Sequence, residues 1–124
     1  MELGGGRMKS KYDVSDTEWE ILKALWNFGG SATQVVLLAY FETLGKTWKR
    51  QTLNTLIARL EKKKLVRKEG GKIWTVYGED EYAFLLIHEA IDAFYGGKFS
   101  NFVAAFNSRK SLSQEDIEEL KKLL

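Results

Sequence analysis

Apolar side chains recur at helical spacing along most of this chain, and glycines mark where several periodic stretches stop. The first stretch opens at Ser15, with Glu18 at the spacing of a capping box, in which side chains satisfy two backbone N–H groups reciprocally. Val14 and Trp19 occupy the staple positions around that cap. Trp19, Leu22, Ala24, Leu25, Trp26 and Phe28 then form a wide apolar stripe that ends at Gly29-Gly30. A second capping box, Ser31 with Gln34, predicts the start of the next helix, which carries Val35, Val36, Leu38, Ala39 and Phe41 and closes at Gly45. A third helix is expected from Lys49 or Arg50 to Lys63. Within it Leu53, Leu56, Ile57 and Leu60 fall at i, i+3, i+4 and i+7, so a single face is built to be buried.

From Leu65 the pattern changes. Val66, Ile73, Trp74, Thr75, Val76 and Tyr77 favour extended backbone, and Gly70-Gly71 signals a hairpin between strands at about 65–69 and 72–77. After Gly78 the helical period returns. Residues 82–95 are apolar around most of the circumference, Gly96-Gly97 interrupts, and Phe99, Phe102, Val103 and Phe106 make another stripe. A last helix opens at the Ser113 and Asp116 capping box, with Leu112 and Ile117 at the staple positions. Three helices followed by a hairpin predict a mainly α fold with a small two-stranded β-wing. A winged helix-turn-helix domain is expected over 13–78 and a helical homodimerisation region over 79–124. Residues 1–12 are expected to be a flexible N-terminal segment, and Met8 offers an alternative start.

Composition narrows the function. The chain has no cysteine, which excludes disulfides, thiolate metal sites and a cysteine nucleophile, and fits an intracellular protein. No apolar run is long enough to span a bilayer, and the Gly-rich, polar start is not a signal peptide, so a cytoplasmic location is expected. Residues 1–78 hold 14 Lys/Arg against 8 Asp/Glu, a net of +6, while residues 79–124 hold 5 against 9, a net of −4. Within Lys46–Lys72 the balance is 10 basic against 2 acidic, a net of +8. A basic block beside an acidic, apolar tail points to one half that meets a polyanion and another that does something else. The tail of 46 residues is too short to bury its own large apolar side chains, so a second copy is expected to cover them. Tyr82, Leu85, Leu86, Ile91, Phe94, Phe99, Phe102, Val103, Phe106, Ile117, Leu120 and Leu124 are the candidate interface.

In a helix-turn-helix the second helix of the pair offers its N-terminal residues to base edges. Here those residues are Arg50, Gln51, Thr52, Asn54 and Thr55. Gln and Asn can bond adenine bidentately, Arg can do the same to guanine, and a threonine methyl can pack on thymine. Lys46, Lys49, Arg59, Lys62, Lys63 and Lys64 flank them as phosphate contacts, and Lys68 and Lys72 sit near the wing tip. An enzyme is not expected: His88 is the single histidine and reads as a core or interface residue, and nothing implies a metal or cofactor. Glu79, Asp80 and Glu81 read as complements to a helix dipole. The other reading of the same features is a winged-helix module that binds protein or RNA without operator specificity.

The run Val14-Ser15-Asp16-Thr17-Glu18-Trp19-Glu20, then Trp26, Trp48 and Thr52 to Leu60, resembles the penicillinase repressor family of the BlaI/MecI type. The closing run Leu112-Ser113-Gln114-Glu115-Asp116-Ile117-Glu118-Glu119-Leu120 resembles that family's last helix, so the likeness spans about 13–124. The resemblance implies a winged helix, a C-terminal dimerisation region, a palindromic operator with TACA/TGTA-like half-sites, and repression of genes that answer β-lactam or cell-wall stress. It also implies inactivation by cleavage in the dimerisation region, set off by a membrane-bound sensor protease. The chain departs from the family at three points. No proline opens the third helix, and Asn54 replaces a common basic residue. Ala105 and Phe106 stand where an Asn–Phe bond is cut, and the cysteine pair of the copper-responsive branch is absent.

Overall fold

The computed structural model describes residues 10–124. Six helices and three short strands follow in the order α1 (Asp16–Asn27), β1 (Ser31–Ala32), α2 (Gln34–Thr43), α3 (Arg50–Lys62), β2 (Val66–Glu69), β3 (Lys72–Thr75), α4 (Glu79–Phe94), α5 (Phe99–Arg109) and α6 (Gln114–Leu123). Two compact units divide the chain, one reaching Leu86 and the other covering Ile87–Leu124.

In the first unit α1 starts as its sequence dictates. Ser15 accepts from the Glu18 N–H at 3.1 Å, and the Glu18 carboxylate accepts from the Ser15 N–H at 2.8 Å. The apolar faces of α1, α2 and α3 then close on one another. Ile21, Leu22, Leu25, Leu37, Phe41, Leu53, Ile57 and Leu60 are almost wholly buried, joined by Leu65, Val66 and Ile73 from the hairpin side. Each such side chain contributes about 1.5–3 kcal/mol through removal from water. The i, i+3, i+4, i+7 stripe of α3 is therefore used up inward, and its remaining positions face outward.

The sheet has three antiparallel strands in the order β1-β3-β2, one more than the sequence predicts. Ser31 pairs with Trp74 and Ala32 with Ile73. Ser31 is thus a strand residue and not the expected helix cap. The cap is Thr33, whose hydroxyl accepts from the Val36 N–H at 3.1 Å, and this leaves two extended residues free to pair with β3. Gly70 and Gly71, at φ +60° and +75°, supply the two left-handed residues of a tight hairpin turn between Glu69 and Lys72. Lys64, also left-handed at φ 63°, ends α3, and the Leu65 N–H reaches back to the Leu60 carbonyl at 3.0 Å. That reversal directs Leu65 and Val66 into the core.

Of the segment 1–12, residues 1–9, with the start at Met1 or Met8, lie outside the described residues. Tyr12 is packed edge-on against Tyr77 and Tyr82. In the second unit α6 begins with the expected capping box, Ser113 accepting from the Asp116 N–H at 3.0 Å. No residue from 87 to 124 is buried. His88 is exposed, with Nδ1 3.5 Å from an Asp92 carboxylate oxygen one helical turn on, so it is not a core residue of the chain.

Candidate nucleic-acid interface

Because Leu53, Leu56, Ile57 and Leu60 face inward, Gln51, Thr52, Asn54 and Thr55 are all exposed along the first turns of α3. The Thr55 hydroxyl donates to the Gln51 carbonyl at 3.0 Å, which holds that side chain against its own helix. Lys49 precedes α3 without a side-chain cap, so the first N–H groups of this helix have no side-chain acceptor and its positive end is open. Asn54 does not stand alone. Its Oδ1 accepts from Nε2 of Gln34, the first residue of α2.

The cations divide into two sets. Lys49, Arg50, Arg59 and Lys62 are exposed and form no ion pair among the described residues. Lys68 lies 3.9 Å from Glu61 with both side chains about half exposed, a weak pairing. Lys72 sits over the ring of Trp74, 5.9 Å from its centroid. Lys46 is turned to Glu20 at 3.2 Å and lies over Trp48. Lys63 is the clear departure from its expected phosphate role. Its Nζ is 2.6 Å from Oε1 of Glu18, a carboxylate only 2% exposed, so this lysine closes an internal pair between α1 and the end of α3. Burial pushes the Glu18 carboxyl up, but the bonds from Lys63 and Ser15 and the lysine's charge outweigh it and hold the group below its ordinary value.

A cleft of about 200 Å³ separates α3 from the hairpin and is lined by Gln34, Asn54, Ile57, Lys68, Lys72 and Ile73. Exposed polar side chains of α3, a hairpin with two lysines and flanking cations thus occur together on one unit.

The sequence model of the penicillinase repressor family matches residues 14–124. The chain belongs to the penicillinase repressor family. The methicillin resistance regulatory protein MecI of Staphylococcus aureus strain N315 is 32% identical over 118 residues, covering 91% of this chain and 94% of MecI. The penicillinase repressor of Bacillus licheniformis is 31% identical over 122 residues, covering 94% of this chain and 93% of that protein. The penicillinase repressor of Staphylococcus aureus is 27% identical over 119 residues, with 90% of each chain covered. A member of this family is a transcriptional repressor.

The residues of this repressor expected in a dimer interface fall into different settings. Tyr82 is 3% exposed and packs on Tyr12, Trp19 and Trp26, and its hydroxyl donates to the Tyr12 carbonyl. It is a core residue of its own unit, which corrects the sequence reading. Burial, with the carboxylates of Asp13 and Glu18, pushes its hydroxyl above the ordinary value. Leu86 packs against the same core. Leu85, Ile91, Phe102, Val103 and Ile117 are half-buried, while Phe94, Phe99, Phe106, Leu120 and Leu124 are exposed. Ala105 and Phe106 lie inside α5, so the bond between them is helical. Among the described residues no helix is long and apolar enough to cross a membrane.

Proposed function

We propose that this repressor is a cytoplasmic homodimer that binds double-stranded DNA at a palindromic operator, each protomer presenting α3 to one half-site. The observation that carries the reading is the exposed array of Gln51, Thr52, Asn54 and Thr55 on α3, framed by Lys49, Arg50, Arg59 and Lys62 and set beside a hairpin bearing Lys68 and Lys72. Base readers between phosphate-positioning cations are what specific binding needs. Dimer symmetry would space the half-sites by about one or more helical turns, ~10 bp each. The regulated genes are those of β-lactam resistance or cell-wall stress, in keeping with relatives named for methicillin resistance and penicillinase. A membrane-bound sensor protease is the proposed inactivating partner, acting at Ala105–Phe106 after local unwinding of α5.

Nuclease protection on the DNA upstream of the chain's own gene tests this. A footprint with dyad symmetry is expected. Equal affinity for every duplex, or binding to RNA or protein with no DNA footprint, would overturn it.

Two substitutions separate reading from positioning. Gln51→Ala is expected to weaken binding by about 1–2 kcal/mol for the matched operator and to relax preference at one base pair. Lys68→Ala is expected to weaken all duplexes alike and to reduce the slope of log K against log salt by about 0.9, the contribution of one phosphate. A salt titration with matched and scrambled duplexes measures both, and an unchanged slope would remove Lys68 from the interface.

A further inference from the structure

The β2–β3 hairpin has two faces. Ile73 is buried and pairs with Lys68, so Arg67, Glu69, Lys72 and Trp74 share the opposite, outer face. Trp74 is half-buried and sits in the central strand, paired with Arg67 on one side and Ser31 on the other. Its indole N–H donates to the Glu69 carbonyl at 3.0 Å, beside the turn. An indole nitrogen only donates and a backbone carbonyl only accepts, so this bond has a single sense and fixes the way the ring faces. Two cations lie on that ring, the Arg67 guanidinium 5.3 Å from its centroid and Lys72 Nζ 5.9 Å from it. Arg67 is also paired with Glu69. Lys72 has no carboxylate partner among the described residues, and it borders the cleft that faces α3.

We propose that Trp74 is the positioning residue of the wing, holding the Lys72 ammonium at the hairpin tip for a DNA phosphate, an inference that rests on the DNA-binding reading above. A lysine carries its charge on a flexible four-carbon stem, and immobilising such a side chain on binding costs affinity. The indole face attracts the ammonium before any duplex arrives, so part of that ordering is already done. The bond to Glu69 anchors the ring to the same tight turn, at Gly70 and Gly71, that carries Lys72. Trp74 touches neither base nor phosphate in this scheme and acts through Lys72. Because phosphate contacts carry no sequence information, its effect falls on affinity and not on base preference.

A double-mutant cycle on the full-length protein tests this. Trp74→Leu removes the ring face and is expected to weaken matched and scrambled duplexes alike, by about two- to tenfold, the cost of ordering one long side chain. The slope of log K against log salt should stay as in wild type, since Lys72 still reaches its phosphate once bound. Lys72→Ala is expected to lower that slope by about 0.9. In the Lys72→Ala background Trp74→Leu should cost nothing further, whereas in the Lys68→Ala background its full loss should remain. A ring that merely kept the hairpin folded would act through both lysines. Trp74→Phe keeps an aromatic face without the N–H and is expected to recover part of the loss; if Trp74→Leu does not fold, Trp74→Phe run through the same cycle decides. Unchanged or tighter binding by the Trp74 variant, a loss that persists beside Lys72→Ala, or a Lys72→Ala protein that binds as wild type would each overturn the proposal. A wild-type protein that leaves no footprint on DNA would instead defeat the reading beneath it.

Discussion

Replacing Phe94 and Phe99 together with glutamate is expected to leave a monomer at micromolar concentration, with affinity for a two-fold operator reduced at least a hundredfold. In the chain by itself Phe94 is 72% exposed and Phe99 59% exposed, so a carboxylate at either place meets water and disturbs the protomer's own packing little. Covered by a second copy, the same carboxylates would be desolvated without partners. A two-fold interface doubles the damage, because each substitution enters once from each side. The effect on DNA follows from linkage. A dimer bound at one half-site holds its second α3 near the other at an effective concentration in the millimolar range, which raises affinity by about 10²–10⁴ with no new contact. Sedimentation equilibrium reads the first effect and titration of the full operator reads the second. Affinity for an isolated half-site should be unchanged. A variant that stays dimeric and binds the full operator as before would show that something other than a second copy covers these phenylalanines.

The candidate surface is legible in the sequence because one physical pattern decides it. Four aliphatic residues at helical spacing in α3 must be buried, so Gln51, Thr52, Asn54 and Thr55 must face away, and burial bears this out. Local rules also place the caps at Ser15 and Ser113, since a cap is satisfied within three residues. The same rules fail at Ser31. Two hydroxyl residues lie two positions apart there, and only pairing with β3 decides that Ser31 is extended and Thr33 is the cap. A two-residue strand carries no periodicity to detect. Lys63 is hidden for another reason. It stands in a run of three lysines that all look suited to phosphate, and its partner Glu18 is 45 residues away and already accounted for by the capping box. Tyr82 lies in a helix apolar on most faces, so the pattern says that it is covered without saying by what. The structure answers with Tyr12, Trp19 and Trp26 of the same chain. The Gln34–Asn54 bond joins a half-buried and an exposed polar residue on different helices, and no sequence signal marks such a pair.

Glu18→Ala is expected to destabilise the protein by about 3 kcal/mol, the largest effect of any single polar substitution in the α1–α3 region. The carboxylate does two things at once: it accepts from the Ser15 N–H at 2.8 Å as half of the capping box, and it takes the Lys63 ammonium at 2.6 Å. Loss of a cap costs about 1 kcal/mol. Breaking a buried ion pair from one side costs up to about 3–5 kcal/mol, and less here because Lys63, about one-third exposed, can turn to water. Glu18→Gln keeps an oxygen for Ser15 but no charge for Lys63, so about half the loss is expected, and urea unfolding ranks the two variants. The sign of the pH dependence follows from the carboxyl's position below its ordinary value of 4.5. Between the lowered folded value and 4.5 the unfolded chain binds more protons, so stability from this group is fully present above 4.5 and is lost as pH falls through the folded value. Wild-type stability should therefore drop more steeply below pH 4.5 than that of Glu18→Gln, and parallel curves would mean that the pair does not bias folding. Because Lys63 closes α3, the same pair moors the far end of the helix whose opposite end carries Gln51 and Thr52. A Glu18→Gln protein held at neutral pH, where it remains folded, should bind the matched operator more weakly, with no change in which base it prefers.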